Sequence, residues 1–215
     1  KLGFVVCDIN YRLCPVTDLK GQVQDVTAAL QWIFDHIHQY GGDSEQISVT
    51  GDSAGAQLAF LVCAASANEA YRRSYEITSL SKPIKALGLT CPVSCLHEMA
   101  KSQDEMTREW MQVLYGGEPE QSSLWNCSDY ADILTDCKEL PSIYILTTKG
   151  DQKYYRQSLA LHDLMNRKQI EHVYREWESM ENKDLGHVFN VLYPACQDSR
   201  AANQEMVYFF LNVRR

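Results

Sequence analysis

Two different spacings of hydrophobic residues alternate along the chain. Short runs of β-branched and other apolar residues predict strands, whereas apolar residues three and four positions apart predict helices. The predicted strands cover residues 3–9, 47–50, 84–90, 143–147 and 172–177. The predicted helices cover residues 23–37, 54–67, 155–167 and 201–211. This alternation predicts an α/β fold with a mostly parallel sheet and helices on both of its faces.

The predicted helix 54–67 is apolar almost all round, with side chains such as Leu58, Phe60 and Val62. A helix of this kind is expected to be buried in the middle of its domain. Its N-terminus carries the positive end of the helix dipole. The helix would therefore direct that positive end towards whatever binds at residue 53.

Residues 96–140 interrupt the alternation of strands and helices. The segment has charged helical character around residues 104–114, followed by a turn at Gly116 and Gly117. A long insertion in a compact domain is usually a lid or a binding element. We therefore predict one partial domain over residues 1–215, with a cap or lid insertion at 96–140 inside it.

Composition excludes several classes of function. The chain has 215 residues, 45% hydrophobic content and 22% charged content, as in an ordinary soluble domain. Its net charge of −8, without a block of Lys or Arg, argues against binding to nucleic acid or to an anionic membrane surface. No apolar run reaches the roughly 18 residues that a membrane span needs.

The eight cysteines are scattered, and no Cys-x-x-Cys pair is present. This spacing argues against a zinc site, and no metal is expected. Free cysteines in strands and helices act as small hydrophobic residues, so we predict reduced thiols and a cytoplasmic location. The chain begins at Lys1, almost directly before a predicted strand. We therefore expect that the N-terminus is truncated, and the sequence leaves open whether a signal peptide precedes Lys1.

The stretch from Gly51 to Gly55 reads Gly-Asp-Ser-Ala-Gly and lies between a predicted strand and a predicted helix. The Gly-x-Ser-x-Gly form is typical of a sharp strand-to-helix turn that exposes a nucleophilic serine. Small residues are expected on both sides of Ser53 because the backbone is crowded and strained there. A glycine turn with a bystander serine is the alternative interpretation.

A serine hydroxyl needs a base, and the base needs a carboxylate to orient it. Enzymes with this turn have the chain order serine, acid, histidine. His187 is the one histidine that combines a late position with a loop and a glycine neighbour; the others are His36, His38, His97, His162 and His172. Asp151 follows a predicted strand, at the edge where open α/β sheets place their sites. Asp163 and Asp184 compete with it for the role of orienting acid.

Several segments resemble the hormone-sensitive-lipase-like family of α/β hydrolases. Residues 5–15 resemble the family's strand and Tyr-Arg-Leu-x-Pro turn, and Asp25 with the residues that follow resembles its next helix. The Gly-Asp-Ser-Ala-Gly turn matches the family's nucleophile turn, including Asp52 before the serine. The regions of Asp151 and His187 resemble the segments that carry the family's acid and base. The match covers most of the chain and is weakest at 96–140.

The resemblance implies an α/β-hydrolase fold and a serine carboxylesterase that cleaves small esters through an acyl-enzyme. It implies Ser53 as nucleophile, His187 as base and Asp151 as orienting acid, with no metal or organic cofactor. The backbone N–H of Ala54 would be one oxyanion donor. The family's His-Gly-Gly-Gly oxyanion loop precedes the Tyr-Arg-Leu strand, so this chain starts after it. We therefore expect an N-terminally truncated fold that is impaired or aggregation-prone when residues 1–215 are expressed alone.

Two alternatives and two details stay open at this point. A peptidase or amidase of the same fold is one alternative, and a non-catalytic receptor is the other. Asp151 is followed by Gln152-Lys153-Tyr154, where the family usually has Pro-Leu and a second acid. Arg12 and Asp25 form either a buried ion pair or two independent surface charges.

Overall fold

The structure is a computed structural model that describes residues 3–137, 139–181 and 183–213. Two residues named by the predictions lie outside the described residues. They are Lys1, at the N-terminus that is predicted to be truncated, and Lys138, in the predicted cap segment. The strands are β1 (Ser48–Asp52), β2 (Ala86–Thr90), β3 (Ser142–Thr147) and β4 (His172–Glu176).

Helices connect and follow these strands. They are α1 (Leu19–His36), α2 (Ala54–Ala67), α3 (Glu69–Tyr75), α4 (Leu96–Ala100), α5 (Glu105–Tyr115), α6 (Tyr130–Asp136), α7 (Tyr155–Arg167), α8 (Phe189–Leu192) and α9 (Gln197–Val213). Short 3₁₀ turns add Ile37–Tyr40, Pro119–Gln121 and Trp125–Cys127. The predicted helices 54–67 and 155–167 coincide with α2 and α7. Among the helices just named, none has the length and apolar character that crossing a membrane requires.

The four strands form one parallel sheet in the order β1-β2-β3-β4. Every residue of β2 is buried, and so is every residue of β3 after its first. Strand β4 instead alternates half-buried with exposed positions. Full burial in the middle of the sheet is typical of parallel strands covered on two faces. The predicted α/β fold with a mostly parallel sheet is confirmed.

The predicted strand at residues 3–9 is wrong. Residues 3–9 form no strand, and most of their side chains are exposed, with Val6 84% accessible. A strand exists through hydrogen bonds to a neighbouring strand. The described sheet ends at β1, and none of its strands pairs with this segment. An apolar run alone therefore does not make a strand.

The chain divides into two compact units. The second unit comprises residues 48–60, 84–94 and 140–215 and contains the whole described sheet. Helix α9 packs tightly on β2 at Gly88, where an added Cβ would lie 2.7 Å from Met206 Sδ and 2.8 Å from Phe210 Cζ. Glycine at this position therefore lets the helix approach the sheet closely.

The first unit comprises residues 1–47, 61–83 and 95–139. Helix α1 begins at an Asp18 cap whose side chain accepts the Gly21 N–H, and it buries an apolar face at helical spacing. Buried tyrosines hold the remaining segments together through hydrogen bonds. The Tyr75 hydroxyl donates to the Cys127 carbonyl at 2.9 Å, and the Tyr115 hydroxyl lies 2.5 Å from Ser128 Oγ.

Arg12 and Asp25 form an ion pair within the first unit. Arg12 Nε donates to Asp25 Oδ2 at 2.9 Å, and Arg12 Nη2 donates to Oδ1 at 2.8 Å. The Arg12 backbone N–H also donates to Oδ2 at 2.9 Å. The Arg12 side chain is 55% exposed, so the pair forms at the surface and is not buried. It ties the chain before α1 to that helix.

Candidate active site

Ser53 is the single residue between strand β1 and helix α2. Its φ of +53° lies in the left-handed region, which is uncommon for a residue with a side chain. The Ser53 N–H donates to the Thr90 carbonyl at 2.9 Å, and the Ser53 carbonyl accepts the Gln57 N–H at 3.2 Å. Both strand and helix thus fix the strained backbone. Such strain concentrates at functional sites.

The two glycines that flank Ser53 have different roles. A Cβ at Gly51 would lie 2.4 Å from both the carbonyl carbon and oxygen of Gly55, so glycine is required there for the backbones to approach. A Cβ at Gly55 would meet no atom within 4 Å. The expectation that crowding requires a small residue on both sides therefore holds at Gly51 and not at Gly55.

Asp151 follows strand β3 and is completely buried. Its Oδ1 accepts the backbone N–H groups of Lys153 at 3.2 Å and Tyr154 at 3.0 Å. The carboxylate is thereby held in a short turn that leads into helix α7. A buried carboxylate needs such donors because desolvation of its charge is costly.

His187 lies in the loop before α8, and its Nδ1 is 2.8 Å from Asp151 Oδ2. Its ring is 30% exposed and lies 5.0 Å, centroid to centroid, from the ring of Tyr154. The next residue, Val188, has a φ of +48°, which is rare for a β-branched side chain. This arrangement leaves Nε2 as the ring nitrogen that does not face the carboxylate.

Gly150 allows the loop that carries His187 to approach the loop that carries Asp151. A Cβ at Gly150 would lie 2.2 Å from the Leu185 carbonyl oxygen and 2.4 Å from Asp184 Oδ1. Any larger residue would have to displace the backbone of the histidine loop. The contact between acid and histidine therefore depends on this glycine.

Cys91 adjoins the acid and the histidine. Its Sγ, a carboxylate oxygen of Asp151 and a ring nitrogen of His187 all lie within 4.8 Å of one another. Sulfur, oxygen and nitrogen donors at this separation could hold a metal ion such as Zn²⁺ only with a thiolate. Burial above all, together with the neighbouring Asp151 carboxylate, raises the pKa of the Cys91 thiol to about 12. The side chain is therefore a neutral thiol at physiological pH.

The competing residues lie elsewhere. Asp163 and Asp184 are exposed. His36 stacks on Trp32, and His38 is exposed. The remaining histidines have other partners: His97 stacks on Trp125, and His162 Nδ1 lies 2.7 Å from His172 Nε2.

Sequence reasoning missed three residues of this site. Cys91 is one of the eight cysteines to which the sequence pattern gives only the character of a small hydrophobic residue, although it follows a strand at the same sheet edge as Asp151. That position, by the rule that located Asp151, was a usable signal. The sequence around Gly150 contains no signal for the loop that approaches this glycine. Tyr154, a neighbour of Asp151 in sequence, carried no signal for its contact with His187.

The parallel sheet and the strained serine between β1 and α2 define the class of the protein, an α/β hydrolase. The chain belongs to the alpha/beta hydrolase fold family, whose model matches residues 1–190. The resemblance to the hormone-sensitive-lipase-like hydrolases is thereby confirmed.

Similar proteins are esterases and related hydrolases. The probable carboxylic ester hydrolase LipM of Mycobacterium tuberculosis is 26% identical over 154 residues, which cover 70% of this chain and 35% of LipM. Rabbit (Oryctolagus cuniculus) arylacetamide deacetylase is 44% identical over 64 residues, 29% of this chain and 16% of that protein. An inhibited esterase B from Lactobacillus rhamnosis superposes with a TM-score of 0.87 at 27% identity, covering 96% of this chain and 66% of that one.

The chain therefore spans about a third of LipM and just under two thirds of esterase B.

Proposed function

We propose that the protein is a serine carboxylesterase in which Ser53 is the nucleophile, His187 the general base and Asp151 the orienting acid. The observation that carries this proposal is the 2.8 Å contact between His187 Nδ1 and the buried Asp151 carboxylate. It is supported by the strained conformation of Ser53 and by the esterases among the similar proteins.

The hydrogen bond to Asp151 determines which ring nitrogen acts as the base. A carboxylate accepts, so Nδ1 carries the proton and Nε2 keeps its lone pair. In the proposed mechanism, Nε2 takes the proton of Ser53 Oγ as this oxygen attacks the ester carbonyl. The imidazolium then gives the proton to the leaving alcohol, and water releases the acid from the acyl-enzyme by the same steps.

Helix α2 begins at Ala54, and the first N–H groups of a helix have no partner within the helix. The Ala54 N–H is therefore proposed as one donor to the oxyanion that forms on the substrate carbonyl. The positive end of the helix dipole favours negative charge at the same place. Further oxyanion donors are expected from the family's His-Gly-Gly-Gly loop.

We propose short-chain carboxylic esters as the substrate class. One of the esterase B structures was obtained with a tributyrin phosphonate inhibitor, and that esterase is 27% identical to this chain with a TM-score of 0.86. The proposed site has an acid and a base arranged for acyl transfer, and the mechanism uses no metal or organic cofactor. The binding partner is then a small ester.

Hydrolysis of p-nitrophenyl butyrate by the full-length protein tests this proposal. Ser53→Ala removes the attacking oxygen and should lower kcat by several orders of magnitude while the fold persists. Ser66→Ala is the matched control, because it removes a hydroxyl from the same helix α2 without touching the turn. Unchanged turnover in Ser53→Ala would remove Ser53 from the mechanism.

A further inference from the structure

Cys91 occupies a strained position directly after strand β2. Its φ of +45° is in the left-handed region, its side chain is completely buried, and its N–H donates to the Leu146 carbonyl of β3 at 2.8 Å. A non-glycine residue keeps such a conformation only where its surroundings hold it there. Neighbouring strands therefore fix where the thiol points.

The thiol points to both loops of the proposed catalytic pair. Its Sγ lies within 4.8 Å of the Asp151 carboxylate and of the His187 ring. Besides burial, the Asp151 carboxylate raises the pKa of the thiol, whereas the backbone N–H of Val188, the residue after His187, lowers it, so both groups act on the sulfur. One buried side chain therefore lies beside both the acid loop and the histidine loop.

The Asp151 carboxylate has capacity for another donor. Two backbone N–H groups bind Oδ1, and His187 binds Oδ2. An ionised carboxylate offers about four acceptor positions. Because the thiol of Cys91 keeps its proton, its S–H is available as a fourth donor.

We propose that Cys91 is a positioning residue, whose S–H donates to Asp151 while its sulfur accepts from the Val188 N–H. The thiol thereby sets the orientation of the carboxylate and the distance between the two loops. This role rests on the proposed serine-esterase function and deepens it.

Three variants of the full-length protein test the role through kinetics. Cys91→Ala should lower kcat about tenfold, the effect of one lost hydrogen bond to a charged group, with KM changed less than twofold. Cys91→Ser keeps a donor and should restore most of the loss. Cys63→Ala is the matched control. Cys63 is buried in α2, and burial alone raises the pKa of its thiol.

The pH profile separates positioning from a merely structural role. Without the S–H donor, the Asp151 carboxylate is more basic and stabilises the protonated His187 ring more strongly. The midpoint of the acid limb of kcat/KM should therefore move to higher pH in Cys91→Ala and stay in place in Cys63→Ala. An unmoved midpoint together with an unchanged kcat in Cys91→Ala would overturn the proposal.

A spectroscopic measurement on the folded wild type is independent of activity. The infrared S–H stretch of Cys91, isolated as wild type minus Cys91→Ser, should lie at lower frequency than that of Cys63, isolated likewise with Cys63→Ser. Asp151→Asn should move the Cys91 band and leave the Cys63 band in place. If the two S–H bands coincide and neither shifts in Asp151→Asn, the proposal is overturned, even if Cys91→Ala does not fold.

The experiments distinguish failure of the proposed serine-esterase function from failure of the proposed role of Cys91. Full activity in Ser53→Ala would refute the serine mechanism, whatever the S–H spectra show. An inactive Ser53→Ala beside a fully active Cys91→Ala would refute the role of Cys91 alone.

Discussion

At the scale of single residues, the site depends on which group holds each proton. The buried Asp151 carboxylate has backbone donors on one oxygen and His187 Nδ1 on the other. This arrangement leaves Nε2 as the ring nitrogen that faces away from the carboxylate. Cys91 adds a neutral thiol at the same place. A substitution that changes one donor or acceptor should therefore act on catalysis more than on folding.

Asp151→Asn tests the assigned acid. The amide can present its NH₂ to Nδ1 and favour the wrong imidazole tautomer, which leaves Nε2 protonated and unable to act as base. We expect kcat for p-nitrophenyl butyrate to fall about 10⁴-fold, as for the equivalent change in serine proteases.

Asp163→Asn is the matched control, because Asp163 is exposed on helix α7. It should leave kcat unchanged. A loss of less than tenfold in Asp151→Asn would show that another group orients His187.

At the scale of elements, glycines determine how closely the loops and helices of the site approach. Because Gly51 has no side chain, the start of α2 can approach it closely, and Gly150 allows the loop of His187 to approach in the same way. Surface contacts such as the Arg12–Asp25 pair join neighbouring segments. Each of these contacts can be tested by a substitution with a matched control.

Gly51→Ala should destabilise the protein, because the new Cβ would overlap the Gly55 backbone. Overpacking of this kind costs about 1–3 kcal/mol. Gly55→Ala has open space and replaces a helical glycine, so it should be neutral or stabilise by up to about 1 kcal/mol. Urea unfolding measures both changes, and equal destabilisation by the two variants would contradict the account.

Gly150→Ala should separate His187 from Asp151, since the Cβ would lie 2.2 Å from the Leu185 carbonyl oxygen. We expect about a 10²-fold loss of kcat, the scale of a 1 Å displacement of a catalytic group. Gly186→Ala is the control in the same loop, because its Cβ would meet no atom within 4 Å. Steady-state kinetics decide: similar activity in both variants would show that the loops do not depend on Gly150.

The Arg12–Asp25 pair predicts a dependence of stability on pH. The hydrogen bond from Arg12 lowers the pKa of Asp25 below its ordinary 3.8. The stabilisation is therefore fully present above the unfolded pKa of about 3.9 and is lost as pH falls through the lower folded pKa. The unfolding free energy of wild type should exceed that of Asp25→Asn at neutral pH, and the difference should shrink below about pH 4.

Urea titrations at several pH values measure this difference. The exposed Asp163→Asn serves as the reference for a lost surface charge. A wild-type advantage over Asp25→Asn that grows on acidification would contradict the pairing.

At the scale of the whole molecule, the sequence predicted the α/β fold, because α2, α7 and four strands show their periodicity locally. It wrongly predicted a strand at 3–9, since a strand needs a partner that local pattern does not reveal. It singled out Ser53, Asp151 and His187 by motif and chain order. Cys91 was missed: its position after a strand was a signal, but its proximity to both loops arises only when the strands lie side by side. A cap role for residues 96–140 stays a prediction.

The most direct test of the central claim is covalent labelling of the full-length protein with a fluorophosphonate, followed by digestion and mass spectrometry. Only a serine activated by a nearby base reacts readily with this probe. The account predicts that the label is found on Ser53 in wild type and is largely lost in His187→Ala. An unlabelled wild type would indicate a non-catalytic protein of the same fold, and a label on another serine would place the nucleophile elsewhere; either result would contradict the account.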